Sequence, residues 1–170
     1  MPTRLMVALD YPTWAEAQAL VTKLQGLPVI FKVGFELFVS EGPRSVESLK
    51  DQGFEVFLDL KLHDIPHTVA SAVRAAGQLK VDYLTVHLGG GLEMLLAAKA
   101  ACDGPGPKIL GVSVLTSFSS EGWKGVIQAM TGVDCSVISS VEGLVRLGKQ
   151  AGMDGIVSSG QDLAVVRRVY

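Results

Sequence analysis

The segment Phe57-Leu58-Asp59-Leu60-Lys61-Leu62-His63-Asp64-Ile65-Pro66 places charged groups at the end of an otherwise apolar run. Along an extended strand successive side chains alternate, so Asp59 and Lys61 share one face while Leu58, Leu60 and Leu62 take the other. Two opposite charges on the interior face of a buried strand are costly unless they are paired or used. With Lys32 and Asp64 they make an alternating set, Lys32, Asp59, Lys61 and Asp64, in which each member favours the ionised form of the next. Such a set suits a lysine that donates a proton. A general acid has to be an ammonium at working pH, and acidic neighbours keep it one, whereas a Schiff-base lysine needs the opposite surroundings.

Short apolar runs recur at residues 5–9, 29–33, 54–58, 83–86, 109–115 and 155–157, each followed by a turn and a helical pattern. Thr13 and Glu16 form a capping box for the first helix, and Gly26 stops it. Later helices are expected after Pro43 (44–52, ending at Gly53), after Pro66 (67–79) and after Gly91 (92–101), with two more within 120–151. Proline suits the first helical position. The strand starts repeat about every 25 residues, and runs apolar on both faces imply a parallel sheet, the rhythm of an α/β fold of the (β/α)8 TIM-barrel type. A complete eight-unit barrel takes roughly 200 to 250 residues. Only six strands are counted before Tyr170. An open sheet would leave two unpaired edges, so the count favours one barrel domain over 1–170 that lacks its last two βα units.

In such a barrel the site lies at the C-terminal ends of the strands. Asp10 ends the first run, Lys32 lies near the end of the second, Asp59 and Lys61 end the third, His87 the fourth, and Thr116 with Ser117 the fifth. Any one of them alone reads as a solvated strand end. Five consecutive strands obeying the same rule point to one functional rim.

Composition excludes several classes. With 170 residues, 48% of them hydrophobic, the chain can bury a sizeable core. A formal charge of −2 without any Lys/Arg cluster gives no footprint for nucleic acid. Cys102 and Cys135 are far apart, with no CxxC and no nearby His, so neither zinc nor a disulfide framework is suggested. The start, Met1-Pro2-Thr3-Arg4 and five apolar residues, is too short for a signal peptide, and no 18-residue apolar run offers a membrane span. A cytoplasmic location is expected. Gly89-Gly90-Gly91 reads as a tight strand-to-helix turn rather than a phosphate cradle, and without GxGxxG or a P-loop no nucleotide cofactor is implied. His63 and His87 read as structural rather than metal-binding. Trp14 and Trp123 read as packing residues, and Arg167 and Arg168 as a solvated face.

The run Asp59-Leu60-Lys61-Leu62-His63-Asp64-Ile65-Pro66-His67-Thr68 closely resembles the signature of the orotidine 5'-monophosphate decarboxylase family. The Ile-Pro-x-Thr continuation makes the resemblance specific, because related barrels share only the Asp-x-Lys-x-x-Asp core. Val7-Ala8-Leu9-Asp10, Phe31-Lys32-Val33-Gly34, Thr85-Val86-His87 and Val114-Leu115-Thr116-Ser117 extend it over essentially the whole chain. The resemblance implies decarboxylation of orotidine 5'-monophosphate to UMP, the last step of de novo pyrimidine nucleotide biosynthesis, by a carboxy-lyase without cofactor or metal. It implies Lys61 as proton donor to C6 of the pyrimidine and Asp59 as the carboxylate facing the departing CO2. Lys32 would hold Asp59 and a ribose hydroxyl, Asp10 the ribose, and Thr116 would lie against the pyrimidine. Asp64, Ile65 and Thr68 would reach the partner's site across a homodimer interface. His67 replaces the family's commoner Asn.

The family's Pro-Gly-Ile-Arg-type loop and final Gly-Arg, which grip the phosphate, have no counterpart before Tyr170. Two other functions stay open at this point. One is a magnesium-dependent sugar-phosphate decarboxylase or aldolase, for which an added acidic ligand is expected before the core; position 57 is Phe. The other is a catalytically impaired fragment that keeps the fold and dimer surface; residues 1–170 alone are expected to be silent toward orotidine monophosphate.

Overall fold

The computed structural model describes residues 3–102, 104 and 106–170. Met1 and Pro2, the start of the stretch read as too short for a signal peptide, lie outside the described residues. Six strands, β1 (Leu5–Ala8), β2 (Val29–Val33), β3 (Glu55–Leu62), β4 (Tyr83–His87), β5 (Lys108–Val112) and β6 (Gly155–Val157), pair in parallel in chain order. Eight helices connect and follow them: α1 (Trp14–Lys23), α2 (Phe35–Glu41), α3 (Arg44–Asp51), α4 (Pro66–Gln78), α5 (Gly91–Ala100), α6 (Ser120–Thr131), α7 (Val137–Gln150) and α8 (Leu163–Val169). This is a partial (β/α)8 barrel, with β1 and β6 as its edges.

Sequence chemistry explains where the elements begin. Thr13 Oγ1 accepts the Glu16 amide N–H and donates to the Glu16 carboxylate, closing the expected capping box. Ser119 and Ser136 cap α6 and α7 in the same way, each accepting an N–H three residues on. Pro66 occupies the first position of α4, where its missing N–H has no partner to lose. Pro43 instead precedes α3 by one residue, as its N-cap.

Alternation along the strands separates two apolar layers. Phe31, Val33, Val56, Leu58, Leu84, Val86 and Ile109 face the helices and form one core with residues of α1 to α5, including Val21, Leu49, Val73 and Leu95. A smaller cluster of Val141, Val145, Val166 and Val169 joins α7 to α8. Ile30, Phe57 and Val112 are equally buried but belong to neither cluster, because they point to the concave face of the sheet. That is the face that Asp59 and Lys61 share with them.

Three local expectations are corrected. The stretch 35–41 forms α2, a helix hidden from sequence reading because Gly34 gives it no side-chain cap and Phe35, Leu37, Phe38 and Val39 look like strand residues. Strand β3 continues four residues past the apolar run, to Leu62. Strand β5 stops at Val112, so Thr116 and Ser117 do not end it but lie exposed in the turn beyond.

Candidate active site

Four charged groups from three neighbouring strand ends meet on the concave face. Lys61 Nζ donates to Asp59 Oδ2 at 2.9 Å, Lys32 Nζ lies 3.9 Å from the same oxygen, and Lys32 Nζ donates to Asp10 Oδ1 at 2.9 Å. Signs alternate along the row Asp10, Lys32, Asp59, Lys61. Asp59 is 8% exposed, Lys32 and Lys61 on either side of it are more open, and Asp10 is the most exposed, so charge is shielded at Asp59 and wet at the Asp10 end. Gly34 leaves the approach open, since a Cβ there would come 3.3 Å from Asp10 Oδ1.

Backbone geometry turns Lys61 into this row. Pairing between β3 and β4 shifts: Leu58 lies opposite Leu84 and Leu62 opposite Val86, so four steps on β3 span two on β4. Lys61 sits inside this irregularity at φ 49°, a left-handed conformation that a long side chain adopts only when its surroundings hold it there. Strained residues of this kind concentrate at functional sites. Thr85, wholly buried on β4, meets both parts of the pair: its hydroxyl donates to Asp59 Oδ1 at 2.9 Å and accepts the Lys61 N–H at 2.8 Å.

Asp64 does not join the row within one chain. Its carboxylate is exposed and accepts the N–H of Ile65 at 2.7 Å. Ile65, the residue before α4, is 65% exposed, and Thr68 is exposed in the first turn of that helix. Asp64, Ile65 and Thr68 thus share the start of α4, all three exposed. Thr116 lines a cleft of about 570 Å³ with Val114, Phe118, Ser159 and Asp162, apart from the charged row.

Beside Lys61, the rings of His63 and His87 stack with centroids 5.1 Å apart and 7° between planes. Burial, reinforced by His63 and Lys61, holds the His87 imidazole below its ordinary pKa. Its Nδ1 accepts the Gly89 N–H at 3.1 Å, which requires that nitrogen to be unprotonated. The triglycine stretch is the tight turn expected of it: residues 88–90 make a single 3-10 turn, and Gly91 has φ 83°. Among the described residues no three His, Cys, Asp or Glu side chains gather as a metal-ligand set, and no helix is long and apolar enough to cross a membrane.

Cavity size alone would mislead. A more voluminous cleft, about 860 Å³, lies at the other end of the strands among Arg4, Glu55, Tyr83 and Lys108. There the Arg4 guanidinium is committed to both Glu55 oxygens, and the Lys108 ammonium lies over the Tyr83 ring.

Known proteins share this chain's sequence pattern and fold. The family model described as "Orotidine 5'-phosphate decarboxylase / HUMPS family" matches residues 3–169. The protein named orotidine 5'-phosphate decarboxylase in Carboxydothermus hydrogenoformans is 42% identical over 175 residues, 99% of this chain and 71% of its own length. Its namesake in Pseudomonas paraeruginosa is 44% identical over 98% of this chain and 71% of its own. Among solved structures, orotidine 5'-phosphate decarboxylase from Lactobacillus acidophilus superposes with a TM-score of 0.88 at 31% identity, covering 98% of this chain and 76% of that one. An uncharacterized conserved protein from Geobacillus kaustophilus gives 0.87 at 34% identity, covering 96% and 77%. Strand-end charges, half-barrel topology and relatives agree, and the chain belongs to the orotidine 5'-phosphate decarboxylase / HUMPS family.

Proposed function

We propose that this chain carries the chemical centre of a cytoplasmic orotidine 5'-monophosphate decarboxylase, with Lys61 delivering the proton that replaces CO2 at C6. The observation that carries the reading is the Lys61–Asp59 contact at 2.9 Å, inside a row of alternating charge at the C-terminal ends of the strands. The matching relatives bear the corresponding name.

Breaking the C6–carboxylate bond leaves its electron pair on C6, and CO2 departs. No ring position adjacent to C6 delocalises that pair well, so the protein must stabilise it. The Lys61 ammonium supplies a positive charge where the negative charge develops, then transfers one proton from Nζ to C6 and is left as the neutral amine. A donor fixed before the reaction needs no reorganisation during it. At about 4 Å and an effective dielectric near 20 one such interaction is worth roughly 4 kcal/mol, against about 20 kcal/mol or more for the most proficient enzymes. Substrate positioning by Asp10, Lys32 and Thr116, and closure over phosphate and ribose, supply the remainder. Asp59, next to the departing carboxylate, adds repulsion in the ground state.

The exposed Asp64, Ile65 and Thr68 fit a homodimer in which each chain completes its partner's site. An apolar side chain as open as Ile65, flanked by polar groups able to reach a ligand, is what such an interface presents.

The test follows the fall in pyrimidine absorbance when the gene-encoded protein meets orotidine 5'-monophosphate. Turnover that persists with EDTA supports the reading. Turnover abolished by EDTA and restored by magnesium contradicts it in favour of the metal-dependent sugar-phosphate class. No turnover by a folded protein contradicts it in favour of an impaired fragment.

A further inference from the structure

The geometry points to Thr85 as a positioning residue that sets both halves of the Asp59–Lys61 pair through one hydroxyl. The inference deepens the decarboxylase reading and rests on it for its activity readout alone. Thr85 is 0% exposed, so its oxygen and hydrogen must both find partners inside the protein. They do, and the two bonds fix each other. The Lys61 N–H occupies a lone pair of Oγ1 at 2.8 Å, which leaves the hydroxyl hydrogen to Asp59 Oδ1 at 2.9 Å.

Each bond answers a need created by the chain. Where β3 runs two residues long against β4, Lys61 turns to φ 49° and its N–H leaves the regular ladder. Without the hydroxyl that part-buried donor would lose its protein acceptor, and the left-handed turn would lose a bond that favours it. Asp59, for its part, has two oxygens and three claimants. With Oδ1 held by Thr85, Oδ2 faces Lys61 and Lys32. Free rotation of the carboxylate would let either lysine draw it away.

Position on β4 matters as much as chemistry. His87, two residues further on the same face, spends its Nδ1 on Gly89 and offers the pair nothing. Valine in place of Thr85 would fill the same space while offering neither bond. Serine would keep both and lose only a methyl group. These two substitutions therefore separate the hydroxyl from the packing.

In the gene-encoded protein, Thr85→Val is expected to lower kcat at least tenfold with KM changed less than threefold. Thr85→Ser should return kcat to within threefold of wild type. Amide hydrogen exchange at Lys61 should be at least tenfold faster in Thr85→Val than in Thr85→Ser, with Leu58 and Val86 unchanged. Should the valine protein not fold, Thr85→Ala serves as the hydroxyl-free variant. A hydroxyl-free variant turning over within twofold of wild type overturns the inference, as does a serine variant as slow as it. If the folded wild type shows no decarboxylation, the functional reading fails. Exchange at Lys61 then decides the inference by itself, and equal rates in the two variants overturn it.

Discussion

At the N-terminal ends of the strands, Asp82 Oδ2 accepts from Lys50 Nζ and from the Val56 N–H, both at 2.7 Å. Two βα units later Asp154 Oδ2 accepts from Lys99 Nζ and the Ile109 N–H at the same distances. Each carboxylate ties the last turn of a helix to the start of the strand that follows it, and the ammonium also suits the helix C-terminus. At the C-terminal ends Asp59 ties no helix to a strand. Its partners come from β2, from further along β3 and from β4, and the ion row continues to Asp10. One rim holds carboxylate clips that tie helix to strand; the other holds a row of alternating charge that carries Lys61 on the concave face. A parallel sheet offers both rims the same residue types, and connectivity is what separates bracing from chemistry.

Variants can break that contrast. After the loss of Lys61 itself, the largest effect is expected from Asp59→Ala, which frees Lys61 and Lys32 from their common partner: kcat/KM should fall by at least about 100-fold, read by steady-state turnover. Asp154→Ala is the opposite case. It leaves the Ile109 N–H without its acceptor and should cost about 1 to 2 kcal/mol by urea unfolding, with turnover within about twofold of wild type by the same reasoning on locality. If Asp154→Ala slowed turnover as much as Asp59→Ala, the division between the rims would fail.

The smallest expected effect concerns His87. Its folded pKa lies below the unfolded value of about 6.5, so the unfolded chain binds the proton more readily. That contribution to stability is present above about pH 6.5 and is lost as pH falls towards the folded value. Melting temperature measured from pH 7.5 to 5 should therefore drop less steeply in His87→Gln than in wild type. A parallel pair of curves would show that His87 does not titrate as its surroundings dictate.

What could be read before the fold was known follows from periodicity and charge. Asp59 and Lys61 announce themselves because two charges in an apolar strand need a reason, and Thr13, Pro66 and Gly26 mark a helix start, another start and a stop through local backbone chemistry. Thr85 gives no such sign. In Tyr83-Leu84-Thr85-Val86 it reads as one more β-branched strand former, and its role arises only from the register of β3 against β4. The left-handed turn at Lys61 is equally silent, because the usual marker for that conformation is glycine. Sequence proximity groups Asp64 with the row, yet the chain turns into α4 and carries it outward. Local pattern finds the charged residues; pairing between strands decides which of them meet.

The most direct test compares two lysines from the two rims. Lys61→Ala should lower decarboxylation of orotidine 5'-monophosphate by at least about 10³-fold and still give a cooperatively folded protein, because Asp59 keeps Thr85 and Lys32 as partners. Lys50→Ala, which opens the clip to Asp82, should lower the melting temperature and leave turnover unchanged. Wild-type turnover in a folded Lys61→Ala protein would contradict the account at its centre.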